Sequence, residues 1–136
     1  MDHSRQDSRI LVAEDNPLNR RLISKVLTGM GRQARMVENG LEALEALAAE
    51  PFSLILMDIG MPVMDGLEAT RRIRAGEIAA ADPDIPILAL TAHYDADDRQ
   101  RCLDAGMTEH LAKPLDVAEL RRTILRLAPS DSPGRT

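Results

Sequence analysis

The stretch that decides the fold is residues 54–66, which read LILMDIGMPVMDG. Four apolar residues run into Asp58, a loop with Pro62 and Gly66 follows at once, and a helix-like segment begins after it. This pattern predicts a buried strand that ends in a carboxylate. In open α/β sheets, ligands and chemistry lie at the carboxyl ends of the strands, so Asp58 is a candidate functional residue.

Two further apolar runs end in polar residues. Residues 10–13 lead into Glu14 and Asp15, and residues 87–90 lead into Thr91. Because parallel strands place their carboxyl ends at one edge of a sheet, we expect these side chains to meet the aspartate of the first run there.

Length and composition indicate one globular domain and exclude several classes of function. A chain of 136 residues can bury its own core. The net charge of −5 and the near absence of aromatic residues argue against a nucleic-acid partner. Cys102 is the only cysteine, which rules out an internal disulfide. No apolar run approaches the ~20 residues of a membrane helix and residues 1–8 lack a signal core, so we expect a cytoplasmic protein without membrane contact.

Predicted strands and helices alternate along the chain. The five strands are predicted at residues 10–13, 33–37, 54–57, 87–90 and 109–112, and the five helices at residues 17–30, 41–47, 67–74, 96–105 and 117–127. Strict alternation indicates an α/β fold in which a doubly wound parallel sheet has helices on both faces. The expected domain spans residues 9–128, with flexible tails at 1–8 and 129–136.

The residues at the expected strand ends predict a phosphoryl site with a metal ion. Glu14, Asp15 and Asp58 are like charges that repel one another when they are gathered together, and hard carboxylate oxygens suit Mg²⁺. Lys113 follows the fifth strand and Thr91 ends the fourth. Metal and lysine would neutralise the oxygens of a phosphoryl group while an aspartate attacks phosphorus to give an acyl phosphate.

Four segments, correctly ordered and spaced, resemble the receiver domain of bacterial two-component response regulators. They are residues 10–17, 57–66, 89–92 and 113–114, and the likeness extends over about 9–127. The resemblance implies a flavodoxin-like fold with strand order 2-1-3-4-5.

The resemblance also assigns roles at the site. Asp58 would accept a phosphoryl group from the phosphohistidine of a histidine kinase or a histidine-phosphotransfer domain. Mg²⁺ or Mn²⁺ would be bound by Asp15 and Asp58, by Glu14 through water, and by the backbone carbonyl of Gly60. Lys113 would pair with the phosphoryl group. Glu14 stands where many members carry aspartate.

A conformational switch is implied as well. The hydroxyl of Thr91 would hydrogen-bond to the phosphoryl group, and His110 stands where the family places a residue, often aromatic, that then moves inward. The peptide bond between Lys113 and Pro114 is expected to be cis. Gly60 and His93 occupy positions that tune loss of the phosphoryl group in the family.

Plainer roles compete with these assignments when each residue is taken alone. Glu14 and Asp15 could cap the first helix, and Thr91 could simply end its strand. Lys113 could be a solvated lysine, and His110 could be a partly exposed residue of the fifth strand.

Two other function classes are disfavoured by single loops. A flavin or nucleotide module needs a phosphate-binding loop after the first strand, but residues 14–17 are acidic. A phosphatase with an aspartyl nucleophile would want a second acid where Gly60 stands. We therefore expect a signalling switch that catalyses its own phosphorylation rather than an enzyme acting on other substrates.

The parent arrangement stays open at this point. The chain ends soon after the fifth predicted helix, which leaves no room for an output domain, so a free-standing regulator, a phosphorelay intermediate and a receiver from a hybrid sensor kinase all fit. Residues 14–19, 75–85 and 90–93 look most like receivers of hybrid kinases. We expect a monomer or a weak dimer.

Overall fold

Helices and strands alternate throughout the computed structural model, which describes residues 9–92 and 95–129. In chain order the elements are β1 (Ile10–Ala13), α1 (Pro17–Gly29), β2 (Ala34–Val37), α2 (Gly40–Ala49), β3 (Leu54–Asp58), α3 (Gly66–Arg74), β4 (Ile87–Thr91), α4 (Ala96–Ala105), β5 (Glu109–Ala112) and α5 (Val117–Leu127). The predicted elements are confirmed, and no bound differs by more than two residues.

The strands form one parallel sheet in the order β2-β1-β3-β4-β5, as the resemblance implied. The central strands β1, β3 and β4 are buried along their whole length. Alternate residues of β3 enter separate cores: Ile55 and Met57 pack with α2, α3 and α4, whereas Leu54 and Leu56 pack with α1 and α5. Burial on both sides explains the unbroken apolar runs in the sequence.

Each helix begins at a side chain that accepts a hydrogen bond from a backbone N–H of the first turn. Asn16 caps α1, so the alternative that Glu14 or Asp15 is this cap is wrong. The other four caps are Asn39, Asp65, Asp95 and Asp116. The caps fix where each helix leaves the edge of the sheet.

Three leucine or valine residues of the helical patterns point to solvent rather than to a core. Leu18 is 72% exposed in the first turn of α1, and Leu41 and Val117 are each 42% exposed in the first turns of α2 and α5. All three lie where a helix starts beyond the ends of the strands, so the sheet does not cover them.

The elements span residues 10–127, which lie within the range of 9–128 expected for the domain. Of the expected tails, residues 1–8 and 130–136 lie outside the described part of the chain. Within the described ranges, none of the helices has the length and apolar character needed to cross a membrane.

Candidate functional site

The predicted site residues meet at the carboxyl edge of the sheet. Asp58 and Thr91 are the last residues of β3 and β4. Glu14 follows β1, and its N–H donates to the Val37 carbonyl at 3.0 Å. Lys113 follows β5, and its N–H donates to the Thr91 carbonyl at 2.8 Å. Continued strand pairing therefore holds these backbones in register.

Three carboxylates form a cluster at this edge. Oxygens of Glu14, Asp15 and Asp58 lie within 4.8 Å of one another. Glu14 is fully buried, Asp58 is 5% exposed and Asp15 is exposed. The cluster opens into a cavity of about 290 Å³ whose wall also includes Gly60, Ala92 and Lys113. A small ligand can reach the acids from solvent on this side.

Lys113 joins the two buried acids. Its Nζ lies 3.1 Å from Oε1 of Glu14 and 3.2 Å from Oδ2 of Asp58. The ammonium thus supplies one positive charge against three carboxylates.

Backbone amides orient the same two carboxylates. The N–H of Asn16 donates to Oε2 of Glu14 at 3.0 Å, and the N–H of Gly60 donates to Oδ1 of Asp58 at 3.0 Å. Each acid therefore has one oxygen held by the loop that follows its strand and another facing Lys113.

Burial and neighbouring charges set the protonation of the pair. Burial raises the pKa of Glu14 above its usual value; the Asn16 N–H opposes this shift, and the charge of Asp58 adds to it. Burial acts to lower the pKa of Lys113, but the carboxylates of Asp58 and Glu14 outweigh it, so the pKa is raised. The lysine is accordingly a permanent cation at neutral pH.

The donor set fits a hard divalent cation. Oε1 of Glu14 is buried and accepts no hydrogen bond from the described residues, with the Lys113 ammonium as its charged neighbour. An excess of carboxylate charge together with an oxygen that lacks a hydrogen bond is the environment that oxygen-ligated Mg²⁺ stabilises. Gly60, whose carbonyl the resemblance names as a further ligand, is exposed and also lines the cavity.

The two residues of the expected switch lie on different sides of the site: Thr91 adjoins the cavity, whereas His110 lines a separate groove. Thr91 is buried, and Ala92 forms the cavity wall next to it. His110 is half-buried on β5 opposite Ala89, and the Nε of Arg99 donates to its Nε2 at 3.5 Å. Burial, and then the charge of Arg99, lowers the pKa of His110.

Two remaining predictions concern backbone and a loop. The peptide bond between Lys113 and Pro114 is cis, the isomer that the family resemblance implied. His93 lies outside the described residues.

Sequence reasoning missed two features of the site. It left open whether an acid or another residue caps α1, although an asparagine directly before Pro17 is a typical cap signal. It also missed Val63, whose φ of 67° places a β-branched residue in the left-handed region of the loop after β3. No local signal announces that conformation, since glycine or asparagine is the usual residue there.

The sequence profile of the response regulator receiver domain matches residues 10–125. The chain belongs to this family, which is a class of signalling domain.

The relatives include hybrid-type sensor kinases. The chain is 41% identical over 118 residues to the sensor histidine kinase GacS of Pseudomonas protegens, and 36% identical over 118 residues to the sensor histidine kinase RcsC of Escherichia coli. Each match covers 87% of this chain but only 13% of GacS and 12% of RcsC. The chain thus spans about an eighth of the length of these curated relatives.

Solved structures agree with the fold. The receiver domain of the sensor histidine kinase PA1611 from Pseudomonas aeruginosa, which has a magnesium ion in its active-site cleft, is 41% identical with a TM-score of 0.80, and the match covers 91% of this chain and 99% of that one. The receiver domain of Ssk1 from Saccharomyces cerevisiae, crystallised with the histidine phosphotransfer protein Ypd1, is 27% identical with a TM-score of 0.82, and 90% of each chain is covered.

Proposed function

We propose that this receiver domain accepts a phosphoryl group on Asp58 and passes the signal on by protein–protein contact. The observation that carries the proposal is a cluster of three carboxylates, two of them paired with Lys113, in an open cavity at the ends of β1, β3 and β5. The carboxylates repel an anion that arrives without a cation, so the site is poorly suited to bind a preformed organic phosphate. It is better suited to accept a phosphoryl group by transfer.

The proposed transfer forms one bond to phosphorus and breaks another. An oxygen of the Asp58 carboxylate forms a bond to phosphorus while the bond from phosphorus to the donor's histidine nitrogen breaks, and the bonding electrons return to the imidazole. The Gly60 N–H fixes one Asp58 oxygen. The Lys113 ammonium lies where it can neutralise the oxygens of the incoming group.

A divalent cation completes the site. Asp15, Asp58 and the carbonyl of Gly60 would hold Mg²⁺ or Mn²⁺, with Glu14 acting through water. When bound, the ion supplies positive charge to the phosphoryl oxygens in the transition state. The magnesium in the cleft of the PA1611 receiver supports the same use of the matching cavity here.

Phosphorylation by a small donor tests this proposal. The chain is incubated with Mg²⁺ and acetyl phosphate, and its intact mass is measured. The wild type is expected to gain one phosphoryl group, and Asp58→Asn to gain none. Asp65→Asn changes the α3 cap in the same loop and serves as a matched control that still reacts. A wild type that gains no mass, or an Asp58→Asn variant that gains as much, would contradict the proposal.

The partner is proposed to be a histidine kinase or a histidine-phosphotransfer domain that docks on α1. A shallow groove of about 310 Å³ lies between α1 and α5 and is lined by Leu22, Val26 and Val117, with Lys25 and Arg121 among its lining residues. The Ssk1 receiver with its bound phosphotransfer protein supports a helical partner of this kind.

Leu18, an exposed leucine one helical turn before Leu22 of this groove, allows a test of docking. Leu18→Ala is expected to slow transfer from a phosphorylated histidine-phosphotransfer protein while leaving acetyl phosphate labelling unchanged. Leu41→Ala removes another leucine exposed in the first turn of a helix and is the control. Equal transfer rates in both variants would exclude this face.

The output is proposed to be a change at Thr91 and His110. After phosphorylation, the Thr91 hydroxyl turns to the phosphoryl group and His110 fills the space on the β5 face. His110→Ala then keeps its phosphorylation and loses discrimination between partners, which competitive binding of both forms measures.

The setting is proposed on the same basis. Residues 9–128 act as one cytoplasmic receiver domain, a monomer or a weak dimer, within a phosphorelay that a hybrid histidine kinase feeds or contains. The matches to GacS and RcsC support this setting.

A further inference from the structure

The loop between β3 and α3 is held against the first turn of α2. The N–H of Gly40 donates to the carbonyl of Met64 at 2.8 Å. A Cβ at Gly40 would lie 2.7 Å from that carbonyl oxygen and 3.0 Å from the carbonyl of Asp65. Real Cβ atoms essentially never come within 3.0 Å of another atom, so the contact with the Met64 oxygen excludes a Cβ unless the backbone shifts. Contact between the helix and the loop therefore requires a residue without a side chain at position 40.

The backbone of the same loop is constrained at both ends. The loop begins directly after Asp58, and its last residue packs against the backbone of Asp58. A Cβ at Gly66 would lie 2.4 Å from the Asp58 carbonyl oxygen. Between these ends, the Met64 N–H bonds to the Pro62 carbonyl at 2.7 Å around Val63, whose φ is 67°. A displacement of the Met64 backbone must therefore be accommodated by residues 59–63, which include Gly60.

We propose that Gly40, which lies outside the cavity, is a positioning residue for the magnesium site. Through the Met64 carbonyl it sets where the Gly60 carbonyl stands relative to the Asp58 carboxylate. The inference rests on the proposed function, in which that carbonyl is a metal ligand.

The choice of ion makes the effect specific. Mg²⁺ demands near-ideal octahedral geometry at about 2.0–2.1 Å, whereas Ca²⁺ accepts irregular sets of oxygens at about 2.3–2.6 Å. A small displacement of the Gly60 carbonyl should therefore weaken Mg²⁺ binding more than Ca²⁺ binding. A role of Gly40 in stability alone would leave the ratio of the two affinities unchanged.

The test compares Gly40→Ala with Gly29→Ala. Gly29 lies in α1, and a Cβ there meets nothing within 4 Å. Affinities for Mg²⁺ and Ca²⁺ are measured by calorimetry on the folded proteins. Gly40→Ala is expected to bind Mg²⁺ roughly tenfold more weakly, the size of effect seen when residues that orient a metal ligand are changed. Gly29→Ala should match the wild type in both affinities.

A second variant separates two routes from Gly40 to the site. A Cβ at Gly40 would also lie 3.0 Å from the Cβ of Ala69 in α3. The double variant Gly40→Ala with Ala69→Gly removes that collision and leaves the one with the Met64 carbonyl. Mg²⁺ binding should stay weak in the double variant. Recovery to the affinity of Ala69→Gly alone would show that helix packing, rather than the loop, carries the effect.

The wild type offers a readout that does not depend on folding of a variant. In an NMR titration with Mg²⁺, the amide resonance of Gly40 should shift with the same midpoint as that of Gly60, and that of Gly29 should stay fixed. An unmoved Gly40 resonance, or equal Mg²⁺ affinity in Gly40→Ala and the wild type, would overturn the inference while leaving phosphorylation of Asp58 intact. A wild type that binds no Mg²⁺ would instead overturn the proposed function.

Discussion

The Nζ of Lys113 lies 3.2 Å from Oδ2 of Asp58, and both residues line the same cavity. The lysine also faces Glu14, so one cation separates two buried carboxylates. The three clustered carboxylates outnumber the single ammonium, and a bound divalent cation would neutralise the remaining negative charge. Binding of such a cation to the folded chain would make its stability depend on the cation concentration.

Lys113→Met should lower the stability of the metal-free chain and raise its affinity for Mg²⁺. Without Mg²⁺ the variant should be less stable, by less than the roughly 3–5 kcal/mol seen when a fully buried pair is broken, because Lys113 is partly exposed. Its Mg²⁺ affinity should rise, since a competing cation is gone. Urea unfolding with and without Mg²⁺ measures both effects, and Lys113→Arg, which keeps the charge, should stay near the wild type. A Lys113→Met variant with weaker Mg²⁺ binding would contradict this account.

Val63→Asn should stabilise the chain. Val63 is 78% exposed with a φ of 67°, so its side chain contributes little packing while its backbone is strained. Asparagine tolerates the left-handed region, where an ordinary residue costs about 1–2 kcal/mol, so a gain of roughly 1 kcal/mol is expected in urea unfolding. Val63→Ala has no polar side chain to hydrogen-bond to the local backbone and should gain less. A Val63→Asn variant that is less stable than the wild type would show that the valine packs in solution.

Much of the fold could be predicted because its signals are local. Apolar runs of four residues, each followed by a polar residue, mark the strands that are buried on both faces. The convergence of the three carboxylates on one edge then follows from parallel pairing. Once the strand order is correct, the oxygens of the three carboxylates come within 4.8 Å of one another.

The rest depends on distances between segments far apart in the chain. The contact between Gly40 and Met64 joins the start of one helix to a loop beyond the next strand, and nothing near either residue signals it. The exposure of Leu18 likewise depends on where the sheet ends beneath α1. Periodicity identifies an apolar face but does not show how far the core extends along it.

Gly106→Ala should destabilise the chain more than Gly76→Ala. Both residues have positive φ, 105° and 78°, which costs an alanine about 1–2 kcal/mol. At Gly106 a Cβ would also lie 2.7 Å from Cγ of Arg74, whose guanidinium bonds to the carbonyls of Gly106 and Pro83, whereas at Gly76 it meets nothing within 4 Å. Urea unfolding measures the difference, and equal losses would mean that Arg74 moves aside freely.

A histidine on the β5 face makes stability depend on pH. His110 is half-buried beside Arg99 of α4, and β5 also carries Glu109, which pairs with Arg126 of α5. Burial and the Arg99 charge place the pKa of His110 below its usual 6.5. Between the two pKa values the unfolded chain binds more protons than the folded chain, so this residue's contribution to stability falls as pH falls through that window and is constant above it.

His110→Gln should remove this part of the pH dependence. The free energy of unfolding of the wild type, relative to the variant, should decrease from about pH 7.5 to about pH 5, while acids common to both proteins cancel in the difference. Arg99→Gln should give an intermediate slope, because it removes one of the two causes of the lowered pKa. Urea unfolding at a series of pH values measures the slopes. A difference between wild type and His110→Gln that grows toward acid pH in favour of the wild type would mean that His110 is stabilised as a cation in the folded chain.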